Sequence, residues 1–254
     1  MSSYKKPLIL VSNDDGIFSP GIQALAEVAD EFGDVEIVAP DRQQSAVGHA
    51  ITVSTPLRSR SFMIDGRFSG QAVSGTPADS VKLAHNQLLN RKPDLVVSGI
   101  NHGSNAGINI LYSGTVSAAT EGTILGYPSI AVSCTAFNED ADLSGSKDAA
   151  RKVIGYVLNH GMPRGVTLNL NVPEGPLKGI KWARQANSRY VEEFEGRIDP
   201  HNRSYYWLTG KFQLLDQDDG NDINALEAGF ASLTPIQYDL TSYPLLKELE
   251  NIEL

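Results

Sequence analysis

The chain has 254 residues, 41% hydrophobic and 20% charged, and a formal net charge of −9 with a pI near 5.0. Such an acidic composition argues against a long nucleic acid as partner, because contacts to a phosphate backbone need basic residues. No apolar run reaches the length of a membrane span, and Met1 to Lys6 lack the apolar region of a signal peptide. The single cysteine, Cys134, excludes an internal disulfide, so we expect a soluble cytoplasmic protein with no membrane partner.

The first elements of the chain predict a βαβ unit. Leu8–Val11 is a short apolar run typical of a buried parallel strand. Ser19 and Pro20 supply a helix N-cap and a proline at the first helical position, and apolar residues follow at helical spacing as far as Phe32. The next strand is Val35–Val38, so the fold class is α/β with a sheet that is parallel at its start.

The alternation of helices and strands continues along the chain. The predicted elements are a helix from Pro77 toward Leu89, a strand at Leu95–Val97, a helix of small residues at Ser113–Leu125, a strand at Ile130–Val132, a helix at Ala149–Leu158 and a strand at Val166–Asn171.

Three stretches differ from this alternation. Ile51–Val73 reads as extended segments around an Asp65-Gly66 turn, which predicts a hairpin. Ala186–Leu215 carries clustered aromatic residues on strand-like runs, and we expect it to project from the core. A short amphipathic helix is predicted at Tyr243–Ile252.

Polar residues follow three of the predicted strands, where an open parallel sheet binds its ligands. Asp14 and Asp15 follow the first strand, Ser45 comes after the second, and Asn101 follows the Leu95–Val97 strand. Each is weak evidence alone, because Asn-Asp-Asp-Gly is a common turn and most loop serines are solvated. Together they form a set of hard oxygen ligands that suits Mg²⁺, Mn²⁺ or Ca²⁺, and a dication would relieve the repulsion between the two carboxylates.

A second candidate feature precedes the helix of small residues. A helix N-terminus presents N–H groups and a positive dipole end to an anion. Gly114 lets a phosphate approach, while Ser113 and Thr115 add hydroxyl donors. The alternative is an ordinary serine N-cap, and only the neighbouring metal site favours phosphate binding. His102 is the histidine closest to these residues, and its participation is left open.

At these residues the chain closely resembles the SurE family of 5′/3′-nucleotidases, also called survival protein E. The matching blocks follow family order across the first half, and the second half matches more loosely at Ala231–Pro235. The blocks are Ile9–Gly16, Val38–Ser45, Ser74–Asp79, Pro93–Asn101, Gly103–Asn105 and Tyr112–Ala119.

The resemblance implies one divalent cation per subunit, Mg²⁺ or Mn²⁺, and the release of phosphate from nucleoside monophosphates. Some family members are similar in acting on short polyphosphate. The ligands that the resemblance implies are Asp14, Asp15, Ser45 and Asn101. We expect direct hydrolysis, in which Asp14 or Asp15 orients the attacking water and Asn105 adds a phosphate donor to those of Ser113, Gly114 and Thr115.

The resemblance also implies a single domain with a Rossmann-like, three-layer α/β/α core and a mostly parallel sheet. The core spans about residues 1–184, a hairpin extension about 185–220, and a segment for dimerisation about 221–254. A homodimer or tetramer is the expected assembly.

Two other functions compete with this interpretation. A phosphatase of the haloacid dehalogenase type uses the first residue of Asp-x-Asp-Gly as nucleophile, but here that residue is Asn13, whose amide is a poor nucleophile. A metal-dependent nucleotide sensor without catalytic activity would keep the same binding residues.

Overall fold

The computed structural model describes residues 5–64, 66–138, 140–216, 218–250 and 252. The strands are β1 (Leu8–Ser12), β2 (Asp34–Pro40), β3 (Ser59–Ile64), β4 (Phe68–Val73), β5 (Leu95–His102), β6 (Ser129–Cys134), β7 (Val166–Val172), β8 (Ile180–Trp182), β9 (Ser188–Val191), β10 (Phe194–Ile198), β11 (Ser204–Leu208), β12 (Lys211–Leu214) and β13 (Ala231–Gln237). The α-helices are α1 (Pro20–Asp30), α2 (Pro77–Leu83), α3 (Gly114–Ile124), α4 (Ser144–His160), α5 (Asp222–Glu227) and α6 (Tyr243–Leu249).

A nine-stranded sheet with the order β3-β4-β2-β1-β5-β6-β7-β13-β8 forms the centre of the molecule. From β4 to β7 every neighbouring pair is parallel, while β3 and β13 pair antiparallel with β4 and β7. The mostly parallel α/β fold is therefore confirmed.

Helices cover both faces of the sheet. Ile9 and Val11 of β1 pack in one buried cluster with α1 and α4, whereas Leu10 packs in a second cluster with α2 and α3. This alternation follows from the two-residue period of a strand. The result is the three-layer arrangement that the sequence led us to expect.

The small residues of α3 allow it to lie close against the sheet. A Cβ atom at Gly122 would come within 2.6 Å of the Ser129 hydroxyl oxygen and 2.8 Å of Val96 Cβ. Only glycine fits at that position, so the C-terminal part of α3 can lie close to the sheet. The N-terminus of α3 lies close to the loop after β1, since a Cβ atom at Gly114 would come within 2.7 Å of Asp14 Cβ.

Several element bounds differ from the sequence predictions. The helix expected to reach Leu89 ends at Leu83 and is followed by a π-helical turn at Ala84–Leu88, and α4 begins at Ser144 instead of Ala149. The hairpin formed by β3 and β4 is present, although Asp65 of its predicted turn lies outside the described residues. Within the described residues, none of the helices combines the length and apolar character needed to cross a bilayer.

The extension and the C-terminal segment behave differently from the core. Strands β9–β12 form two small antiparallel pairs, and β10 and β11 are exposed along their whole length. The segment expected from residue 221 has two parts, because α5 and β13 join the core and only residues after Gln237 lie apart from the sheet.

Candidate active site

A cavity of about 670 Å³ opens at the carboxyl edge of the parallel strands. The loops after β1, β2 and β5 and the start of α3 form its walls, as the strand-end argument predicts. All four predicted metal ligands line it, and so do two of the predicted phosphate-binding residues: Asp14, Asp15, Ser45, Asn101, Asn105 and Ser113.

Asp14 is 6% exposed and lies against the first turn of α3. The Thr115 hydroxyl donates a short hydrogen bond to its carboxylate, and the Thr115 backbone N–H also points to it. A Cβ atom at Gly114 would come within 2.7 Å of Asp14 Cβ, so glycine is needed there. Burial raises the pKa of Asp14 to about 6, the Thr115 hydroxyl opposes this rise, and the charge of Asp15 adds to it.

Asp15 lies on the other side of the same turn and is more accessible. Its side chain is 14% exposed, and Gln43 Nε2 donates to its Oδ1 at 3.3 Å. His102 Nδ1 lies 3.9 Å from the second carboxylate oxygen, beyond hydrogen-bond distance. Two carboxylates on adjacent residues thus face one cavity, which concentrates negative charge there.

Asn13 holds this turn in place. Its amide donates to Gly16 O at 2.9 Å and to Ser19 Oγ at 2.7 Å, so it joins the aspartate loop to the N-cap of α1. The side chain is completely buried. A buried amide with this structural role cannot serve as the nucleophile of a haloacid dehalogenase mechanism.

Asn101 presents its side-chain oxygen for binding. Its Nδ2 donates to Gly103 O at 2.7 Å. The opposite amide orientation would place two acceptor oxygens together, so the contact assigns which atom is nitrogen. Ser45 is exposed and lies on the segment between β2 and β3, which has no regular structure.

The predicted phosphate-binding residues divide into two groups. Asn105 and Ser113 line the cavity. Asn105 Nδ2 donates to Ser133 Oγ at 2.8 Å, and this contact uses one of the two N–H bonds of the amide. Gly114 and Thr115 lie behind Asp14, where both Thr115 donors serve the carboxylate. Their role toward phosphate stays a prediction.

The donor set fits a hard divalent cation that keeps several water ligands. Two carboxylates, one hydroxyl and one amide oxygen face the cavity, and the raised pKa of Asp14 shows that an unneutralised charge is costly there. No cluster of three or more His, Cys, Asp or Glu side chains suited to a metal occurs among the described residues.

Sequence reasoning missed several residues of the cavity wall. Tyr190, from the extension, donates its hydroxyl to Asn109 Oδ1 at 2.9 Å, and both residues line the cavity. Phe18 and Phe137 lie at its rim with 55% and 85% of their surface exposed. No sequence signal links Tyr190 to this site, because it is about 80 residues from Asn109 along the chain.

The fold and cavity define an α/β protein with a polar cleft that carries paired carboxylates at the carboxyl edge of its sheet. The family model of survival protein SurE matches residues 9–192. The chain belongs to the SurE family.

Relatives match along almost the whole chain. A protein of Christiangramia forsetii named 5′-nucleotidase SurE is 49% identical over 98% of each chain. A protein of Cytophaga hutchinsonii with the same name is 50% identical over 96% of each chain. The crystal structure of the SurE protein from Aquifex aeolicus superposes with a TM-score of 0.83 at 42% identity, covering 96% of this chain and 98% of that one.

Proposed function

We propose that this protein is a divalent-cation-dependent phosphatase that hydrolyses nucleoside monophosphates to nucleoside and inorganic phosphate. The observation that carries the proposal is the pair Asp14 and Asp15 at a polar cavity, with the oxygen ligands of Ser45 and Asn101 beside them. The curated relatives named 5′-nucleotidase SurE support the choice of substrate.

The four oxygen-bearing side chains would hold one Mg²⁺ or Mn²⁺ ion per subunit. When bound, such an ion withdraws charge from a phosphoryl group and lowers the pKa of a coordinated water. Asp15, which is the more accessible carboxylate, would accept a hydrogen bond from the attacking water. Thr115 holds the Asp14 carboxylate in one orientation through its hydroxyl and its N–H.

Phosphoryl oxygens would bind between the loop after β5 and the start of α3. Asn105 has an N–H bond to spare, and Ser113 lies at the N-terminus of a helix whose dipole favours an anion. Gly114 and Thr115 contribute the shape of this helix start. These donors act on charge that develops during transfer, where preorganised hydrogen bonds have their largest effect.

The cavity has room for more than a phosphate group. Its rim carries the exposed rings of Phe18, Tyr112 and Phe137, and a stacked base is a natural partner for an exposed ring next to a phosphate site. This arrangement supports a nucleotide substrate over a small alkyl phosphate.

Assembly and compartment belong to the same proposal. Leu240, Leu245, Leu246 and Leu249 are all about half exposed or more on a C-terminal segment that does not join the core sheet. Covering them with a second copy of the chain supports a homodimer or a tetramer. The buried thiol of Cys134 is compatible with a cytoplasmic location.

Phosphate release from a panel of 5′- and 3′-nucleoside monophosphates and short polyphosphate, measured with Mn²⁺ and after chelation, tests the proposal. We expect turnover of nucleotides only with the cation. Binding of nucleotides without turnover would instead indicate a sensor, and equal turnover after chelation would contradict a role for the metal.

A further inference from the structure

The segment between β2 and β3, residues 41–58, has no strand or helix and yet carries Ser45. Ser45 is exposed, so no burial of its own side chain fixes it near the other proposed ligands. The segment also turns sharply, because Ala46 and Gly48 both have φ of 56°. Contacts of the neighbouring residues must therefore determine where Ser45 lies. On one side of it, Gln44 N donates to Asp14 O at 2.7 Å.

On the other side of Ser45, His49 is the first residue whose side chain hydrogen-bonds to a buried group. Its Nε2 lies 2.9 Å from Glu121 Oε2 on α3. One residue earlier, Gly48 N donates to Tyr112 O at 3.1 Å, just before α3 begins. The segment is thus tied to α3, whose N-terminus faces the same cavity.

Glu121 is an unusual anchor because its side chain is only 3% exposed. Burial pushes the pKa of Glu121 up, but hydrogen bonds from His49 and from Lys82 outweigh that effect and hold the pKa below its usual range. Lys82 Nζ, on α2, lies 2.5 Å from the other carboxylate oxygen. A carboxylate only accepts hydrogen bonds, so His49 must donate from Nε2.

We infer that His49 is a positioning residue that holds Ser45 in the cation site by anchoring residues 41–58 to the buried carboxylate of Glu121. The anchor joins the two halves of the site, because Glu121 lies on the helix whose first turn also carries Thr115 against Asp14. His49 acts through the geometry of the segment and does not touch substrate. The inference rests on the proposed function, in which Ser45 is a ligand.

Lys82 provides a matched control. It shares the Glu121 carboxylate with His49 but lies on α2, outside residues 41–58. Removing either partner leaves the buried carboxylate with one hydrogen bond fewer, so both changes cost stability. Only the His49 change removes a contact of the segment itself, on the side of Ser45 that leads toward Thr52 and its bond to Asp79.

The test is direct titration of Mn²⁺ into full-length, metal-free protein in the absence of substrate, followed by calorimetry. His49→Ala should weaken Mn²⁺ binding at least about tenfold, and Lys82→Met should leave it within about threefold while lowering Tm to a similar degree. His49→Gln keeps an N–H donor and should restore affinity to within about threefold. In a Ser45→Ala background, His49→Ala should add little further loss, because residues acting through one contact are not additive.

Equal Mn²⁺ affinity of His49→Ala and wild type, or equal losses for His49→Ala and Lys82→Met, would overturn the inference. So would fully additive effects of His49→Ala and Ser45→Ala. In each of these cases a wild type that still hydrolyses nucleotides with Mn²⁺ leaves the proposed function intact. Failure of wild type to bind Mn²⁺ at all would overturn both.

Discussion

The carboxyl edge of the sheet buries a charged side chain, whereas the segments that leave the core expose apolar side chains to solvent. At the edge, the charged side chain of Asp14 is buried, with its pKa raised to about 6 mainly by that burial. In the extension, the apolar side chains of Trp207 and Leu208 are 57% and 70% exposed. In each region, some side chains lie in an environment that does not suit their polarity.

The proposed function assigns a different partner to each region. A cation stabilises two adjacent carboxylates of which one is buried, whereas another apolar surface stabilises exposed apolar side chains. The first requirement concerns catalysis and the second concerns assembly. If the two are separable, changes in one region leave the other intact.

The largest expected effect is that of Asp15→Asn on turnover. The change keeps the shape of the side chain but removes one of the two charges at the cavity, so kcat should fall at least about a hundredfold with the fold retained. Steady-state phosphate release and circular dichroism of the same sample measure the two parts. An Asp15→Asn enzyme with wild-type turnover would remove Asp15 from the site.

A smaller loss is expected from Thr115→Val. The variant keeps the side-chain shape but removes the hydroxyl that donates to Asp14. A lost hydrogen bond to a charged group costs about 1.5–3 kcal/mol, which corresponds to roughly a 10- to 150-fold effect. Because the structure places the hydroxyl on Asp14, we expect both Mn²⁺ affinity and kcat to fall.

The Thr115→Val variant separates two roles. Loss of kcat with unchanged Mn²⁺ affinity would return Thr115 to the phosphate-binding group predicted from the sequence. Unchanged kinetics and metal binding would reduce the contact to a helix cap.

Asp14→Asn should stabilise the metal-free protein. The folded state keeps the Asp14 proton up to about pH 6, against a usual pKa of 3.8, so the folded state binds more protons than the unfolded state between these values. The contribution of Asp14 to stability is therefore greatest below about pH 4, declines as the pH rises, and is a penalty on the order of 3 kcal/mol at pH 8.

Asparagine is neutral throughout this range and can still accept the Thr115 hydrogen bond. Thermal unfolding at pH 8 in the presence of a chelator should show a Tm at least about 3 °C higher for Asp14→Asn than for wild type. At pH 4 the difference should be small. If the variant were less stable at both pH values, the contacts of the Asp14 carboxylate would already compensate for its burial. That result would contradict the predicted penalty.

The smallest effect on turnover is expected from removal of residues 239–254. No described residue of this segment lines the active-site cavity. Light scattering should show a smaller assembly, and kcat should remain within about fivefold of wild type. A truncated protein that folds, keeps its assembly and loses all activity would contradict the view that catalysis and assembly depend on different regions.

The sequence predicted which residues meet at the carboxyl edge of the sheet better than it predicted the contacts that hold them there. Asp14 and Asp15 follow β1, and Asn101 lies near the carboxyl end of β5; a parallel topology alone brings these strand ends to one edge. The contact of Thr115 with Asp14 depends on how close α3 packs to the sheet, and spacing along the chain does not reveal this. Tyr190 lies in the extension, outside the alternating strands and helices of the core. The sequence pattern therefore could not predict its contact with Asn109.

Element bounds show the same limit. The apolar pattern after Pro77 continues to Leu89, but the helix gives way to a π-helical turn where Leu89 N donates to Ala84 O. The capping residue Ser19 with Pro20, and Pro77, predicted where α1 and α2 begin, whereas the start of α4 was predicted five residues late. Their ends depend on tertiary packing, which local pattern does not encode.

The central claim is that the polar edge of the sheet binds one divalent cation through Asp14 and Asp15. Calorimetric titration of Mn²⁺ into chelator-treated wild type and Asp15→Asn tests it most directly, since it needs neither substrate nor turnover. We predict one Mn²⁺ ion per chain for wild type and at least about a tenfold weaker affinity for Asp15→Asn. Equal Mn²⁺ binding by the two proteins, or none by wild type, would contradict the claim.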